Sequence, residues 1–494
     1  MVATRLRSLK EHTDWIPNEI VRVLEARSGQ ALEPIRAELF GPERFEQHGR
    51  SLGASHRARK VTFTQATFYP RLQDNIRTLR MAHRYIARQA TEGHEIGAAA
   101  EWLLDNFHLI EDQLREIREG LPARYYRSLP VLQDPPLVGL PRVYGVAWAF
   151  IAHTDSAFSE TLLVHFLNAY QSVSELTQGE LWALPTTLRV LLVENLRRLA
   201  DRVASYKAAR ELATLCVTQM DSLTLPAVQA LRQHMDRRGV GLMFLAQLIQ
   251  DLTVHGAAAH SATLSQVRQW LQQEVPDLGA LHAQQHIDQA ADHLSMGNAF
   301  TALRAIGAAS WSDIISQTSC VMRVMLDSEV FAAEDETTRN KTLHAIERLA
   351  AISHRNESEV ARHLLDAMTN RDGRTALPRH WLEGDGRAEL ERLLGIRRLL
   401  PRAWRAQAAA TRTHAYFGAL VVATLLVMAA LTGSLNASAE GGQTGWGQHM
   451  VVLLTLLLAL LPASEGAVAL VNRLISEATK PTHCLLYTSD AADE

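Results

Sequence analysis

Two long runs nearly without charge limit what this chain can become. Ala415 to Leu435 reads AYFGALVVATLLVMAALTGSL, and Met450 to Val471 reads MVVLLTLLLALLPASEGAVALV. At about 1.5 Å of rise per residue, a helix over either run reaches roughly 30 Å, the thickness of a bilayer's hydrocarbon core. Between them, Asn436 to His449 is polar and Gly-rich, a short connecting loop. The pair is expected to form a two-span membrane hairpin (415–435 and 450–471), with the long preceding segment held on one side. Arg397, Arg398, Arg402, Arg405 and Arg412 precede the first run, and Arg473 and Lys480 follow the second. The loop has no Lys or Arg and one acid, Glu440. Positive residues are retained in the cytoplasm, so both flanks are expected there, with loop 436–449 on the far side. A buried helical hairpin in a water-soluble protein is the alternative, but core helices seldom run this long without a charge.

The rest of the 494 residues is helical in character and divides by composition. Residues 1–30 form an N-terminal segment, 31–369 a helical domain, and 370–414 a basic linker containing Asp372-Gly373 and Pro378. Residues 472–483 are expected to begin a cytoplasmic continuation. In Glu101 to Leu121 the apolar residues Leu103, Phe107, Ile110, Leu114, Ile117 and Leu121 alternate spacings of four and three, a packing seam for another helix. Gly120 and Pro122 end that helix. Thr177 and Glu180 have capping-box spacing, opening a helix through Leu196, with Pro185 early enough to be tolerated. Ser310 and Asp313 repeat the spacing. Separate helices are expected over Lys207–Met220, Gln284–His293, Ala299–Gly307 and Ser310–Leu326. Pro135, Pro136 and Pro141 make the stretch from Arg124 to Pro141 a connector. Alternating strand patterns are almost absent, so the fold class is all-α.

Charge and cysteine content narrow the function. A net charge of -3 gives no global basic field, so nucleic acid is not an expected partner. Basic residues are nearly all Arg, a bias that fits a GC-rich genome. Cys216, Cys320 and Cys484 have no CxxC spacing, which fits a reducing compartment. Met1 is followed by Arg5, Arg7 and Lys10 without an apolar core, so no cleavable signal peptide is visible. Cys484 to Glu494, CLLYTSDAADE, resembles the in-frame translation of a transposase-type sequencing adapter. On that reading the chain is a fragment cut near His483.

Few residues point to chemistry. His282, His286 and His293 share a helix face, a spacing at which imidazoles bind zinc, but Ala283 stands where HExxH needs Glu. A polar helix face is the simpler reading. Glu465 lies inside the second apolar run after Pro462 and should face a helix, a cavity or the interface. Glu111 and Asp112 are adjacent and do not converge on a helix. The cluster from Arg124 to Arg127, RYYR, could grip a phosphate or sugar, or simply pack. Phosphate-cradling Gly loops and the GxSxG turn are missing. No catalytic, cofactor-binding or metal-binding residue is therefore assigned.

Several stretches together carry a family resemblance. They are Glu101 to Pro130, Leu140 to Asp155 (LPRVYGVAWAFIAHTD), Ala169 to Ala200, Ser295 to Ile314 (SMGNAFTALRAIGAASWSDI) and Leu460 to Leu474. They resemble the N-terminal region of bacterial cyclic β-1,2-glucan synthases, inner-membrane glucosyltransferases. The resemblance implies a cytoplasmic helical region and a membrane hairpin, with loop 436–449 periplasmic. A transferase domain using UDP-glucose and a divalent metal would follow, then further spans and a phosphorylase-like domain. The family's Asp-x-Asp is absent here, and in place of Gln-x-x-Arg-Trp residues Gln266 to Trp270 read QVRQW. The expected role is to anchor and position the missing catalytic domain, with the bilayer, those downstream domains and glucan as partners. The fragment alone should be inert. An independent membrane-tethered helical adaptor or sensor binding a protein is the alternative, and a zinc hydrolase on His282 and His286 a third reading.

Overall fold

The computed structural model describes residues 15–25, 34–59, 68–255, 262–275, 277–369, 371, 373–396, 414, 416–429 and 446–478. Arg397 to Arg412, Glu440, Lys480 and the tail from Cys484 lie outside them. The described chain is overwhelmingly helical; its one sheet is a two-residue antiparallel pairing, Ala58–Arg59 against Val131–Leu132. It divides into two units, Met1–Ala332 and Ala333–Glu494.

The first unit is built around one helix, Gln178–Thr218. Its start obeys the capping box: Thr177 Oγ1 accepts from Glu180 N at 3.2 Å, and Glu180 Oε2 accepts from Thr177 N at 2.9 Å. Pro185 removes one i→i−4 bond without ending the helix. Instead of breaking between Leu196 and Lys207 as expected, the helix runs on for 41 residues. Helices Phe68–Thr91, Arg142–His153, Gly241–His255 and Leu278–Ala308 pack around it, so that none of its residues before Arg210 is exposed, and only Arg210, Thr214 and Thr218 near its end are. The polar residues in its middle are inside and bonded, and this is why the sequence suggests a surface there.

Three other helix boundaries differ from expectation. Glu101 to Leu121 is two helices, Ala98–Asp105 and Phe107–Gly120, because Asn106 turns its amide onto the Trp102 carbonyl at 2.9 Å. The seam itself is real: Leu103, Ile110, Leu114, Ile117 and Leu121 are buried, each stabilising by about 1.5–3 kcal/mol relative to exposure. Leu278–Ala308 continues through Ser295-Met296-Gly297-Asn298, where Ser295 Oγ donates to Asp155 Oδ1 at 2.6 Å. Ser310 makes no cap bond; Ser319 breaks the stretch and caps Cys320–Met325 by accepting from Met322 N at 3.1 Å. Arg124 falls within a short helix, Ala123–Ser128, that precedes the proline connector.

In the second unit Asp335 caps Glu336–Ser353, accepting from Thr338 N at 2.8 Å. Glu357–Met368, Pro378–Leu382 and Arg387–Leu393 pack with it over Ile346, Leu364, Trp381 and Leu390. The two apolar runs form helices over 416–429 and Trp446–Ala478, the second beginning four residues inside the expected loop. Tyr416 Oη donates to Asn472 Oδ1 at 3.0 Å, so the start of the first helix meets the last turns of the second. On the second helix Ala463, Ala467 and Val471 are buried at four-residue spacing, while Leu425 (61%), Leu458 (71%) and Leu461 (73%) are exposed. Among the described residues no helix is long and apolar enough to cross a membrane.

Candidate functional site

The middle of the central helix, Val193 to Arg202, carries four charged residues in the core, Glu194, Arg197, Arg198 and Asp201, with Arg202 half-buried at its end. Glu194 and Asp201 are answered from other elements. Glu194 accepts from Arg71 Nη2 and Arg198 Nη2, both at 2.5 Å, and from Tyr144 Oη at 2.9 Å. Burial alone would raise the Glu194 carboxyl; the two guanidiniums outweigh it and hold it below the ordinary range. Asn195 ties the helix to the Ile35 amide at 2.6 Å and to Ser156 at 2.8 Å. Arg238 donates to Asp201 at 2.6 Å and to the Val23 carbonyl at 3.2 Å. Such pairs cost desolvation, so their value lies in fixing one arrangement of the surrounding helices.

One helical turn further along, this network opens into a polar groove. Its first hollow, about 350 Å³, is lined by Asp201, Arg202, Ser205, Tyr206, Arg238 and Asp288. The adjoining hollow, about 180 Å³, has Arg210, Gln247, Gln250, His282, Gln285, His286 and Gln289 on its walls. From Asp201 to Arg210 the groove follows about 13 Å of helix. Gly239, at φ +74°, makes the turn that brings Arg238 to its mouth. Arg202 bridges the walls: its Nε lies 3.0 Å from Asp292, its Nη2 3.4 Å from Asp288, and its plane 5.2 Å over the Tyr206 ring. Burial pushes the Asp201 and Asp292 carboxyls up and the Tyr206 phenol up to about 12. Ser205 is 2% exposed, and among the described residues its hydroxyl has no hydrogen-bond partner. A buried hydroxyl facing a polar hollow is the position a ligand's own hydroxyl would satisfy.

The carboxylates here are gripped by guanidiniums, and the rest of the wall is amide, imidazole and hydroxyl. This donor and acceptor set suits a neutral, hydroxyl-rich ligand and holds no poised acid–base pair. No spacing in the sequence reveals the groove, because its walls come from three separate helices.

The residues singled out in the sequence fare differently. His282 and His286 reach the smaller hollow, but His293 does not join them: its Nε2 accepts from Trp102 Nε1 at 3.1 Å. Among the described residues no group of three or more His, Cys, Asp or Glu side chains could hold a metal ion. Glu111 accepts from Arg80 at 2.9 and 2.8 Å while Asp112 turns to Arg115 at 3.0 Å, so the two acids diverge. Tyr125 and Tyr126 are buried, with Tyr125 Oη donating to the Gly179 carbonyl, so the two tyrosines of RYYR pack, while Arg127 is exposed. Glu465 is exposed, on the face turned away from Ala463 and Ala467.

No family model matches the chain. It is similar to the cyclic beta-(1,2)-glucan synthase NdvB of Rhizobium meliloti (strain 1021), with 28% identity over 485 residues. That alignment covers 95% of this chain and 17% of the relative, so the chain spans less than a fifth of the relative's length. The resemblance read from the five stretches is borne out over nearly the whole chain.

Proposed function

We propose that this chain is the N-terminal, helical and membrane-anchoring region of a cyclic β-1,2-glucan synthase, and that it positions a transferase domain lying in the remainder of a longer protein. The observation that carries this is the likeness to the glucan synthase across 95% of the chain. The two apolar helices support the anchoring role. They are joined by the Tyr416–Asn472 bond, and the second turns Leu458 and Leu461 outward while Ala463 and Ala467 are buried, the reverse of a helix made for water. The helical body and both flanks lie in the bacterial cytoplasm, and loop 436–449 reaches the periplasm. Glu465, outward on this pair, takes a partner from a further span of the longer protein. The polar groove beside Ser205 and Asp288 takes β-1,2-glucan, whose ring hydroxyls match its amides, carboxylates and guanidiniums. UDP-glucose and its metal belong to the transferase domain.

A chimera tests the reading. The matching region of the relative is replaced by this chain, and cyclic glucan is measured in cells lacking their own synthase. Glucan is expected; its absence with a stable, membrane-inserted chimera refutes the proposal. Alkaline phosphatase inserted at Gly441 should be active, and inserted after Arg473 inactive. The opposite pattern overturns the anchoring role.

A further inference from the structure

On helix Phe68–Thr91, Arg77, Arg80, Arg84 and Arg88 recur at three- and four-residue spacing and so share one face. Arg22, from helix Asn18–Leu24, and Arg118, from helix Phe107–Gly120, reach the same place. The six guanidiniums line a cleft of about 610 Å³. Carboxylates answer only some of them: Glu111 takes Arg80, Glu19 takes Arg88, and Asp74 lies 3.1 Å from Arg77. Among the described residues, Arg22, Arg84 and Arg118 have no carboxylate within ion-pair distance, and all six side chains are exposed.

Convergence of this kind carries a cost. Like charges facing one hollow repel, and solvent screens them only in part. An anion with several oxygens relieves the repulsion, and the planar fork of arginine matches phosphate oxygens two at a time. The floor has another character: Val23, Ile76, Met81 and Tyr85 bring apolar surface to the same cleft. Tyr85 is held there by its hydroxyl, which donates to Glu211 at 2.8 Å. Charged rim and apolar floor together call for a phosphate attached to an apolar or aromatic group.

We propose that this cleft binds an organic phosphate, with Arg22, Arg84 and Arg118 on the phosphate oxygens and Tyr85 and Met81 against the attached group. Both a nucleoside diphosphate and a phospholipid headgroup have that chemistry. The site is separate from the polar groove and stands whether or not the groove takes sugar.

The test is titration calorimetry on the full chain in neutral detergent, at physiological salt. The probes are UDP, ADP, inorganic pyrophosphate, dihexanoyl phosphatidylglycerol and dihexanoyl phosphatidylcholine. Saturable binding of the nucleotides or of the phosphatidylglycerol, tighter than pyrophosphate, is expected, and which of the two binds identifies the source. The double variant R84Q/R118Q should weaken it at least tenfold, while R50Q, exposed elsewhere on this unit, should not. Both double-variant sites are solvent-exposed, so the fold is expected to survive, and an unchanged circular dichroism spectrum checks it. No binding by any probe overturns the proposal, as does affinity unchanged in R84Q/R118Q. Binding of pyrophosphate as tight as that of the organic probes overturns the role of the apolar floor and with it the assigned ligand.

Discussion

Arg142 grips Glu180 through two parallel bonds, Nε to Oε1 at 2.8 Å and Nη2 to Oε2 at 2.5 Å, where the carboxylate is fully buried. The same Oε2 accepts the Thr177 amide, so one carboxylate both caps the central helix and clamps the helix Arg142–His153 against it. Arg142 also reaches Ser174 Oγ at 3.0 Å and the Glu175 carbonyl at 2.8 Å.

Removing the arginine strands a buried charge. Arg142→Met is expected to cost about 3–5 kcal/mol, read from the urea midpoint of the first transition. Adding Glu180→Gln removes the stranded charge and should recover part of the loss. A single variant as stable as the parent would show that the pair contributes nothing.

Acid sensitivity should trace partly to His56. Burial first, then the nearby Arg142 charge, lowers its imidazole from 6.5 to about 4, and its Nδ1 lies 3.1 Å from Tyr170 Oη. With the folded pKa depressed, this contribution to stability is fully present above pH 6.5. It is lost as the pH falls toward 4, because the unfolded chain takes up the proton first. His48, His83 and His234 are lowered in the same direction, mainly by burial. Urea midpoints should therefore drop between pH 7 and pH 4.5, and His56→Gln should make that drop shallower. An identical slope in the variant would remove His56 from the account.

Two glycines should respond oppositely to one added methyl. At Gly53 a Cβ would meet the Tyr170 carbonyl oxygen at 2.7 Å, backbone that cannot swing aside. Gly53→Ala should cost about 1–3 kcal/mol by pushing helices Pro42–Ser55 and Glu160–Gln171 apart. Gly307 has nothing within 4 Å of its built Cβ and an ordinary helical backbone. Gly307→Ala should stabilise by about 0.4–1 kcal/mol. Thermal midpoints of the two variants, measured side by side, decide.

Ser205 separates binding from folding. Ser205→Ala removes a buried hydroxyl that has no partner among the described residues, so stability should hold or rise by about 1 kcal/mol. Affinity for a β-1,2-linked glucose oligomer should fall several-fold by calorimetry. Unaltered affinity would move the sugar site elsewhere.

Much of the helical content was readable in advance, because capping chemistry and spacing are local. The Thr177–Glu180 box and the seam from Leu103 to Leu121 lie where their side-chain types demand. In the sequence the central helix looks like two, because Arg197, Arg198, Asp201 and Arg202 have the composition of a solvated stretch. Their partners, among them Arg238 and Asp292, sit far along the chain, so nothing nearby betrays their burial. The groove was hidden for the same reason. The arginines of the 610 Å³ cleft were partly visible, since four share one helix, but Arg22 and Arg118 join them only once the chain has folded.

The central helix has a mechanical corollary. Its 41 residues make a rod about 60 Å long. The Arg142 clamp holds one end, bonded charges brace its waist, and the polar groove begins just beyond. Pro185, one turn past the clamp, is where such a rod can bend, and from there to the groove its backbone bonding runs on. A displacement at Asp201 is then carried along the rod to Pro185, sixteen residues and about 24 Å away.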